Sequence, residues 1–392
     1  MIALIDCNNF FVSCELTVRP ELRGRAVVVG GRGENGGCVV AMSNEAKKLG
    51  IPRGIPVFRL RDLVKGGKVT VLPADHHLYS RISRDVMATV NSFGLEAEIY
   101  SVDEAFLHVP FPGEEATEFC RYVRSTILER TGIPAGIGIS TTKTLAKIAA
   151  TFAKRHKGYE GVCLMDTPEK IKRGLELTPA GEVWGIGRKV KERLDRVNIT
   201  TAAQFADMPA DAVSRMFNHS VTSTWRELNG EYILDESTHR RRYLSCTCSR
   251  TFEHDIYSRS EIMRLTACYA ASVARSLRRH RRIATEIEVM LSTNPFRTDR
   301  PQRRATAKVR LMEPSADTMA ISTAAGAALN EAFLEGYAYK RAGVTATRTI
   351  GIDEDCPTLF DEPEKKEKSR RLMATLDRLN DAGIDIGLAS AT

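Results

Sequence analysis

No apolar run in the sequence is long enough to cross a bilayer. Residues 318–330 are uncharged but span only 13 positions, against the roughly 18 that a spanning helix needs. No basic flank precedes the apolar opening at residues 1–5, which Asp6 interrupts, so no secretory signal is read. The nine cysteines are odd in number, none stands in a CxxC pair, and Cys246 and Cys248 are too close together for an ordinary zinc pair. The expectation is reduced thiols in a cytosol and no disulfide framework. No internal repeat recurs. These absences exclude the secreted, disulfide-built and membrane-spanning classes. What remains is a chain of 392 residues, 43% hydrophobic and 27% charged, enough for two or three domains or four small ones with real cores.

The formal charge of +8 is unevenly placed. Residues 239–310 hold 17 Lys or Arg against six Asp or Glu, a surplus of eleven that leaves −3 for the other 320 residues. An Arg surplus confined to one domain-sized window is the electrostatic footprint of a polyanion partner, with a solvated face as the plainer reading. The arginines are spread over strands and loops and do not line one amphipathic helix, which argues against a membrane surface.

Residues 1–5 read as a buried strand ending in Asp6, residues 8–16 as a helix closed by Arg19-Pro20, and residues 26–29 and 38–41 as short strands joined by a Gly-rich turn. Helices are expected over 43–49, 78–93, 117–130 and 144–154, and strands over 98–102, 105–109 and 135–140. This order suggests an α+β domain on a small, mostly antiparallel sheet. From Thr167-Pro168 the texture is helical only, and the Gly turn WGIG feeds a basic helix over 188–197. Residues 235–242 read as a polar linker. Strands at 249–252, 283–291 and 305–311 and helices at 262–279 and 315–333 then form a second, basic α/β domain. A charge run at 364–371 lies in a tail without clear caps.

Asp6 at one strand end and Asp103-Glu104 between two others are the first candidates for chemistry. Three carboxylates on strand tips repel one another, so a divalent cation is their natural partner, and oxygen ligands select Mg²⁺ or Mn²⁺ over zinc. Two such ions clamp the attacking and departing oxygens of a phosphoryl transfer. Neighbours in a regular strand face opposite sides, so Asp103 and Glu104 can act together only at a bend, bulge or strand end. Taken by spacing alone, each acid also has an ordinary reading as a cap or turn former.

The segments MIALIDCNNFFVSCE, NGGCVVAMSNEAKKLGI, YSVDEAF, GIGISTTKTLAKIAATFAK, WGIGRKVKERL and YKRAGV resemble, in this order, the motifs of the Y-family translesion DNA polymerases, the second being most similar to the UmuC branch. The match runs over residues 1–344. The resemblance implies an α+β multidomain right-hand polymerase: a ferredoxin-like palm (1–10 and 75–165), small fingers (11–74), a helical thumb with a helix-hairpin-helix (166–238), a linker (239–243), an α/β little finger (244–350) and a C-terminal tail (351–392). It also implies that Asp6, Asp103 and Glu104, joined by the Cys7 carbonyl, hold two Mg²⁺ ions, Mn²⁺ being an alternative.

Phe11 falls where the family places the steric gate that rejects a ribose 2′-hydroxyl, beside Phe10, whose plainer reading is packing. Lys47 and Lys154 match basic positions that meet the incoming dNTP, and Asn44 stands where many relatives carry Tyr. Lys143 and Lys147 lie near them and face either solvent or template. Gly185, Gly187, Arg188 and Lys189 would approach a DNA phosphate, and the Arg-rich window, with Arg250 and Arg303, would grip primer-template DNA by its backbone. The activity implied is error-prone, template-directed synthesis past damaged bases, as in SOS mutagenesis, by a cytoplasmic, nucleoid-associated bacterial protein. Leu359-Phe360 would anchor a sliding-clamp contact, although Cys356 replaces the usual Gln, and the branch implies a UmuD′-like subunit and a recombinase filament as partners. Two rival readings are a catalytically inactive DNA-binding accessory protein of the same fold and a nucleotide cyclase sharing the palm. The cyclase leaves the basic window unexplained.

Overall fold

The computed structural model describes residues 1–31, 37–233, 245–354, 363–384 and 386. The chain divides into two compact units, Met1–Asp235 and Glu236–Thr392. The expected linker and the Leu359-Phe360 dipeptide lie outside the described residues.

In the first unit, β1 (Ile2–Cys7), α1 (Phe10–Val18), β2 (Val27–Gly30), β3 (Ala41–Met42), α2 (Asn44–Lys48), α3 (Arg61–Lys65) and β4 (Thr70–Pro73) precede α4 (His76–Asn91), β5 (Ala97–Ile99) and β6 (Glu104–His108). Then come α5 (Gly113–Thr131), β7 (Ala135–Ser140), α6 (Lys143–Arg155) and β8 (Val162–Met165). Five strands form one sheet in the order β5-β6-β1-β7-β8, with β1 antiparallel to both neighbours.

Alternation along β1 decides what each face carries. Ala3, Ile5 and Cys7 enter a core shared with α4 and α5. Ile2 and Leu4 point the other way and meet Phe106 of β6 and Ala146 and Ala150 of α6. Asp6 therefore lies on the α6 side. A side chain at Gly138 would collide with the Ala146 carbonyl and the Ala150 nitrogen, so the glycines of AGIGIS allow α6 to lie flush on β7.

The segment 27–73 builds a three-stranded sheet, β3-β2-β4, over its own small core of Val28, Val39, Met42 and Val57. The strand expected over 38–41 is reduced to Ala41–Met42, because the Val39 amide turns instead to the Ile55 carbonyl at 2.9 Å. The strand expected over 98–102 stops at Ile99, because the Tyr100 and Ser101 amides both turn onto the Glu104 carbonyl, at 3.0 and 3.1 Å. The short strands β4 and β8 have no counterpart in the sequence reading.

Residues 168–228 are all helical: α7 (Pro168–Leu177), α8 (Arg188–Arg196), α9 (Ala202–Ala206), α10 (Ala210–Met216) and α11 (His219–Leu228). They share a core with the outer side of α6, including Leu145, Ala149, Phe205 and Leu228. Glu227 of α11 is buried and accepts hydrogen bonds from the amide and hydroxyl of Thr144, while the Thr142 hydroxyl donates to the Glu227 carbonyl at 2.9 Å. A carboxylate at the first turn of α6 suits the positive end of that helix.

The second unit holds β9 (Cys246–Ile256), α12 (Arg259–Arg279), β10 (Arg282–Thr293), β11 (Arg304–Ser315), α13 (Thr318–Ala332), β12 (Tyr339–Gly351) and α14 (Pro363–Asp381). Its antiparallel sheet runs β11-β10-β12-β9, with α12 and α13 on one face. The segment expected to be a capless tail is instead a docked helix. Met373 of α14 is buried, and Arg278 of α12 donates to both carboxylate oxygens of Asp377 at 2.7 Å.

The Gly138→Ala variant should lose about 3 kcal/mol or more of stability, because its methyl group meets backbone that cannot turn aside. Denaturant unfolding of the two proteins measures this, and an unchanged midpoint would show that α6 does not depend on that contact.

Candidate active site

Asp6 pairs directly with Glu104 across β1 and β6, and on its other side with Gly136 of β7. The Cys7 amide donates to the Asp103 carbonyl at 2.9 Å. Residues 98 positions apart in sequence, Asp6 and Glu104, thus meet on adjacent strands. Asp103 sits in the bend just before β6 begins, so it escapes the alternation that would set it opposite Glu104. The Ser101 hydroxyl donates to Asp103 Oδ1 at 2.5 Å and receives the Asp103 amide at 3.2 Å, which fixes the bend. Burial pushes the Asp6 pKa up, Lys154 opposes it, and the charges of Glu104 and Asp103 push it further up. The Cys7 thiol lies on the opposite face of the strand, buried and with its pKa raised by that burial. It is core filler.

Among the described residues, no three His, Cys, Asp or Glu side chains form a ready-made metal cage. Asp6 and Glu104 each turn to a lysine of α6. Lys154 Nζ lies 2.5 Å from Asp6 Oδ1, and Lys147 Nζ lies 2.8 and 3.0 Å from the two Glu104 oxygens. The donor set nonetheless fits a hard divalent cation. It is all oxygen, three carboxylates gathered at one strand row and its adjoining bend, where like charges already oppose one another.

Spacings of four and seven place Lys143, Lys147 and Lys154 on one stripe of α6. Gly136 makes room for the Lys154 stem, since a Cβ there would come within 2.6 Å of Lys154 Cγ. Lys147 is also set over two aromatic rings, 5.3 Å from the Tyr100 ring centre and 5.4 Å from that of Trp184. Lys143 is neither a solvent nor a template residue: it is buried, paired with Glu98 at 2.5 Å and set over Phe106.

Phe10 is 3% exposed and packs in the core, so it is not available to a nucleotide. Phe11 is only partly buried and stacks on Tyr79, with ring centres 4.3 Å apart and 14° between planes, while His76 presents its edge at 5.9 Å. The Tyr79 hydroxyl donates to buried Glu15 at 2.6 Å, and Arg19 pairs with the same carboxylate. The Phe11 ring is thus backed by a fixed wall. Asn44 opens α2, where the Ser43 hydroxyl caps the helix by accepting from the Ala46 amide at 3.2 Å. Lys47 lies one turn on. Burial, Lys154 and Arg53 together lower the Lys47 pKa, which places its ammonium in the field of Lys154. Tyr79, Ser101, Gly136 and Asn9, the last bonded to both Asn44 and Lys47, were not singled out from sequence. Alternating Gly in AGIGIS and the lysine stripe of α6 are the signals that could have exposed part of this set.

Gly185 adopts φ +87°, and a Cβ there would lie 2.7 Å from Thr224 Oγ1, so its first duty is internal packing. Gly187 is different. It caps α8 with open space around it, and Arg188 and Lys189 beside it are exposed.

In the second unit, Arg250 pairs in register with buried Ala342 on the helix-covered side, and Arg303 turns to the Ala332 carbonyl and the Tyr337 ring. Neither lies on the sheet's open face. Register assigns that face to Arg304, Thr306, Lys308 and Arg310 of β11, Glu286 and Glu288 of β10, Arg341 and Thr345 of β12, and Thr247 and Ser249 of β9. This face is polar and rich in cations.

The impB/mucB/samB family model matches residues 5–151, and the model of that family's C-terminal domain matches residues 244–357. The chain is 34% identical over 383 residues to Protein UmuC of Salmonella typhimurium, covering 97% of this chain and 90% of that one. It is 30% identical over 298 residues to DNA polymerase IV of Alkalilimnicola ehrlichii, covering 75% and 81%. Among solved structures, the Y-family DNA polymerase chimera Dbh-Dpo4(243-245)-Dbh is similar in fold, with a TM-score of 0.68 at 20% identity over 88% of this chain and 98% of that one. No helix among the described residues is long and apolar enough to cross a membrane.

Replacing Gly136 by Val should push the Lys154 stem off the strand and separate its ammonium from Asp6. The expected result is a rise of about tenfold in the nucleotide KM, read by steady-state primer extension. An unchanged KM would contradict the expectation that Lys154 meets the incoming dNTP.

Proposed function

This chain belongs to the impB/mucB/samB family, the UmuC-like Y-family DNA polymerases, and from that premise we propose how its own residues carry out error-prone, template-directed DNA synthesis past damaged bases. The reaction joins a primer 3′-hydroxyl oxygen to the α-phosphorus of a paired dNTP and releases pyrophosphate. The observation that carries this reading is the row of Asp6, Glu104 and the adjoining Asp103, faced by Lys154 and Lys147 from one helix. Two Mg²⁺ ions, held by Asp6, Asp103, Glu104 and the Cys7 carbonyl, would supply activation of the attacking hydroxyl and charge neutralisation at the leaving oxygens.

The remaining roles belong to the chain. Lys154 and Lys47 offer two ammonium groups in one field, which suits the β- and γ-phosphates of the nucleotide and the pyrophosphate that leaves. Neither lysine has the fork of Arg, so both act as point charges. Lys147, set over Tyr100 and Trp184, orients the Glu104 carboxylate. Phe11, braced on Tyr79, presents its ring to the sugar and leaves no space for a 2′-hydroxyl.

Exposed Arg188 and Lys189 at the start of α8 and the open sheet face of the second unit with Arg304, Lys308, Arg310 and Arg341 support contact with DNA phosphates, without base readout. Clamp contact through Leu359-Phe360, and partnership with a UmuD′-like subunit and a recombinase filament, rest on family membership alone. An inactive accessory protein would have no need for three intact carboxylates, a braced Phe11 and paired lysines.

Asp103→Ala or Glu104→Ala should lower primer extension in Mg²⁺ and dNTPs by at least about a thousandfold while leaving DNA affinity within about twofold. Gel-based extension and fluorescence anisotropy read the two quantities, and retained extension would defeat the carboxylate assignment. Phe11→Ala should raise incorporation of ribonucleotides relative to deoxynucleotides by about a hundredfold or more. Equal discrimination in the two proteins would place the gate elsewhere.

A further inference from the structure

We propose that Asn9 is a positioning residue for nucleotide binding, its carboxamide tying helix α2 to the end of β1 and aiming the Lys47 ammonium at the triphosphate. The inference rests on the reading of Lys47 and Lys154 as triphosphate contacts and adds to it a residue that touches neither substrate nor reacting atoms.

Asn9 stands three residues after Asp6, at φ 47° and ψ 43°, immediately before α1. Only three other non-glycine residues among those described have positive φ. This left-handed conformation is unfavourable for most side chains and least so for Asn. It is kept where the surroundings fix it, and such positions gather at functional sites.

Here the fixing groups are visible. Asn9 Nδ2 donates to Asn44 Oδ1 at 3.0 Å, and Asn9 Oδ1 accepts from Lys47 Nζ at 2.6 Å. One carboxamide thus uses its donor and its acceptor on the same short helix, which only one orientation of the amide permits. Asp in its place could hold the ammonium but not donate to Asn44, and Gly could do neither.

Lys47 is exposed on a flexible four-carbon stem, and an ammonium so placed samples many rotamers unless something holds it. Asn9 supplies that restraint. Lys47 is held in the field of Lys154 and Arg53, and its lowered proton affinity reflects partial burial first and the gathered positive charge second. Three cations in one field, one of which, Lys154, is paired with Asp6, form a place that a polyphosphate completes. The Asn9 bridge also links the short α2, through side chains, to the segment that follows the catalytic strand.

The test is steady-state primer extension by the full-length protein with Asn9→Gly, Lys47→Ala and the double variant, each with a thermal melt. Gly preserves the left-handed backbone and removes only the carboxamide. The expected result is a dNTP KM raised about five- to tenfold in Asn9→Gly, with kcat within about twofold and the melting temperature unchanged. The double variant should be no worse than Lys47→Ala, because both changes remove the same interaction. If Lys47→Ala raises KM and Asn9→Gly does not, the positioning role is overturned while the triphosphate reading stands. If Asn9→Gly instead lowers kcat and melting temperature together and leaves KM alone, the residue is structural and the proposal fails. If Lys47→Ala leaves KM unchanged, the triphosphate reading fails and the role of Asn9 fails with it.

Discussion

The close seating of α6 on β7 is the constraint on which the site depends. An α-helix packed on a sheet by its side chains stands well off the strands; here Gly136 and Gly138 remove the side chains that would hold it away. The consequence is electrostatic as well as steric. Lysines on the inner stripe of α6 reach carboxylates at the strand ends, and Lys154 lies along the strand itself on its way to Asp6. The same helix, on its other side, is the surface on which α7–α11 pack, with Glu227 bonded to its first turn. One element therefore sets the place of the lysines and the seat of the helical segment.

Charge within this arrangement is organised by opposition. Burial raises the cost of ionising Asp6, Lys154 lowers it, and the charges of Glu104 and Asp103 raise it again. Lys47 and Lys154 repel each other in turn. Each half is unfavourable alone, and each is relieved by the kind of ligand the reaction brings: cations for the carboxylates, phosphates for the lysines. A site built this way is preorganised for charge it does not yet hold. Phe11 contributes shape. Its ring is stacked on Tyr79, whose hydroxyl is bound to a buried carboxylate, so a gate set against a sugar has little freedom to yield.

Much of this was legible in the sequence because the deciding signals are local. The apolar run MIALI marks a buried strand that ends in a carboxylate, and the change to helices at Thr167-Pro168 marks a real boundary of texture. The turn at residues 100–104 was legible only as a requirement, that Asp103 and Glu104 need a bend to act together, and the Ser101 hydroxyl and the Glu104 carbonyl supply it.

What was missed depends on contacts distant in sequence. Nothing in the composition of residues 364–371 announces that Asp377 and Asp381 will meet arginines of α12, so a docked helix looked like a tail. Arg250 and Arg303 were chosen from a cluster by charge alone, whereas strand register, which a sequence does not print, decides which arginines share the sheet's open face. By its place in the sequence Lys143 faces either solvent or template, whereas Glu98 and Phe106 enclose it. The roles of Asn9 and Tyr79 needed the folded distance between α1, α2 and α4.

The central claim is that Asp6, Asp103 and Glu104 form one divalent-cation seat beneath α6, with the nucleotide's phosphates on Lys154 and Lys47. Anomalous scattering from Mn²⁺ in crystals of the full-length protein, grown with primer-template DNA and a non-hydrolysable dNTP analogue, tests it most directly. The expected map has metal peaks ligated by all three carboxylates and the triphosphate against both lysines. Metal peaks away from Asp6 and Glu104, or a triphosphate bound without Lys154, would contradict it.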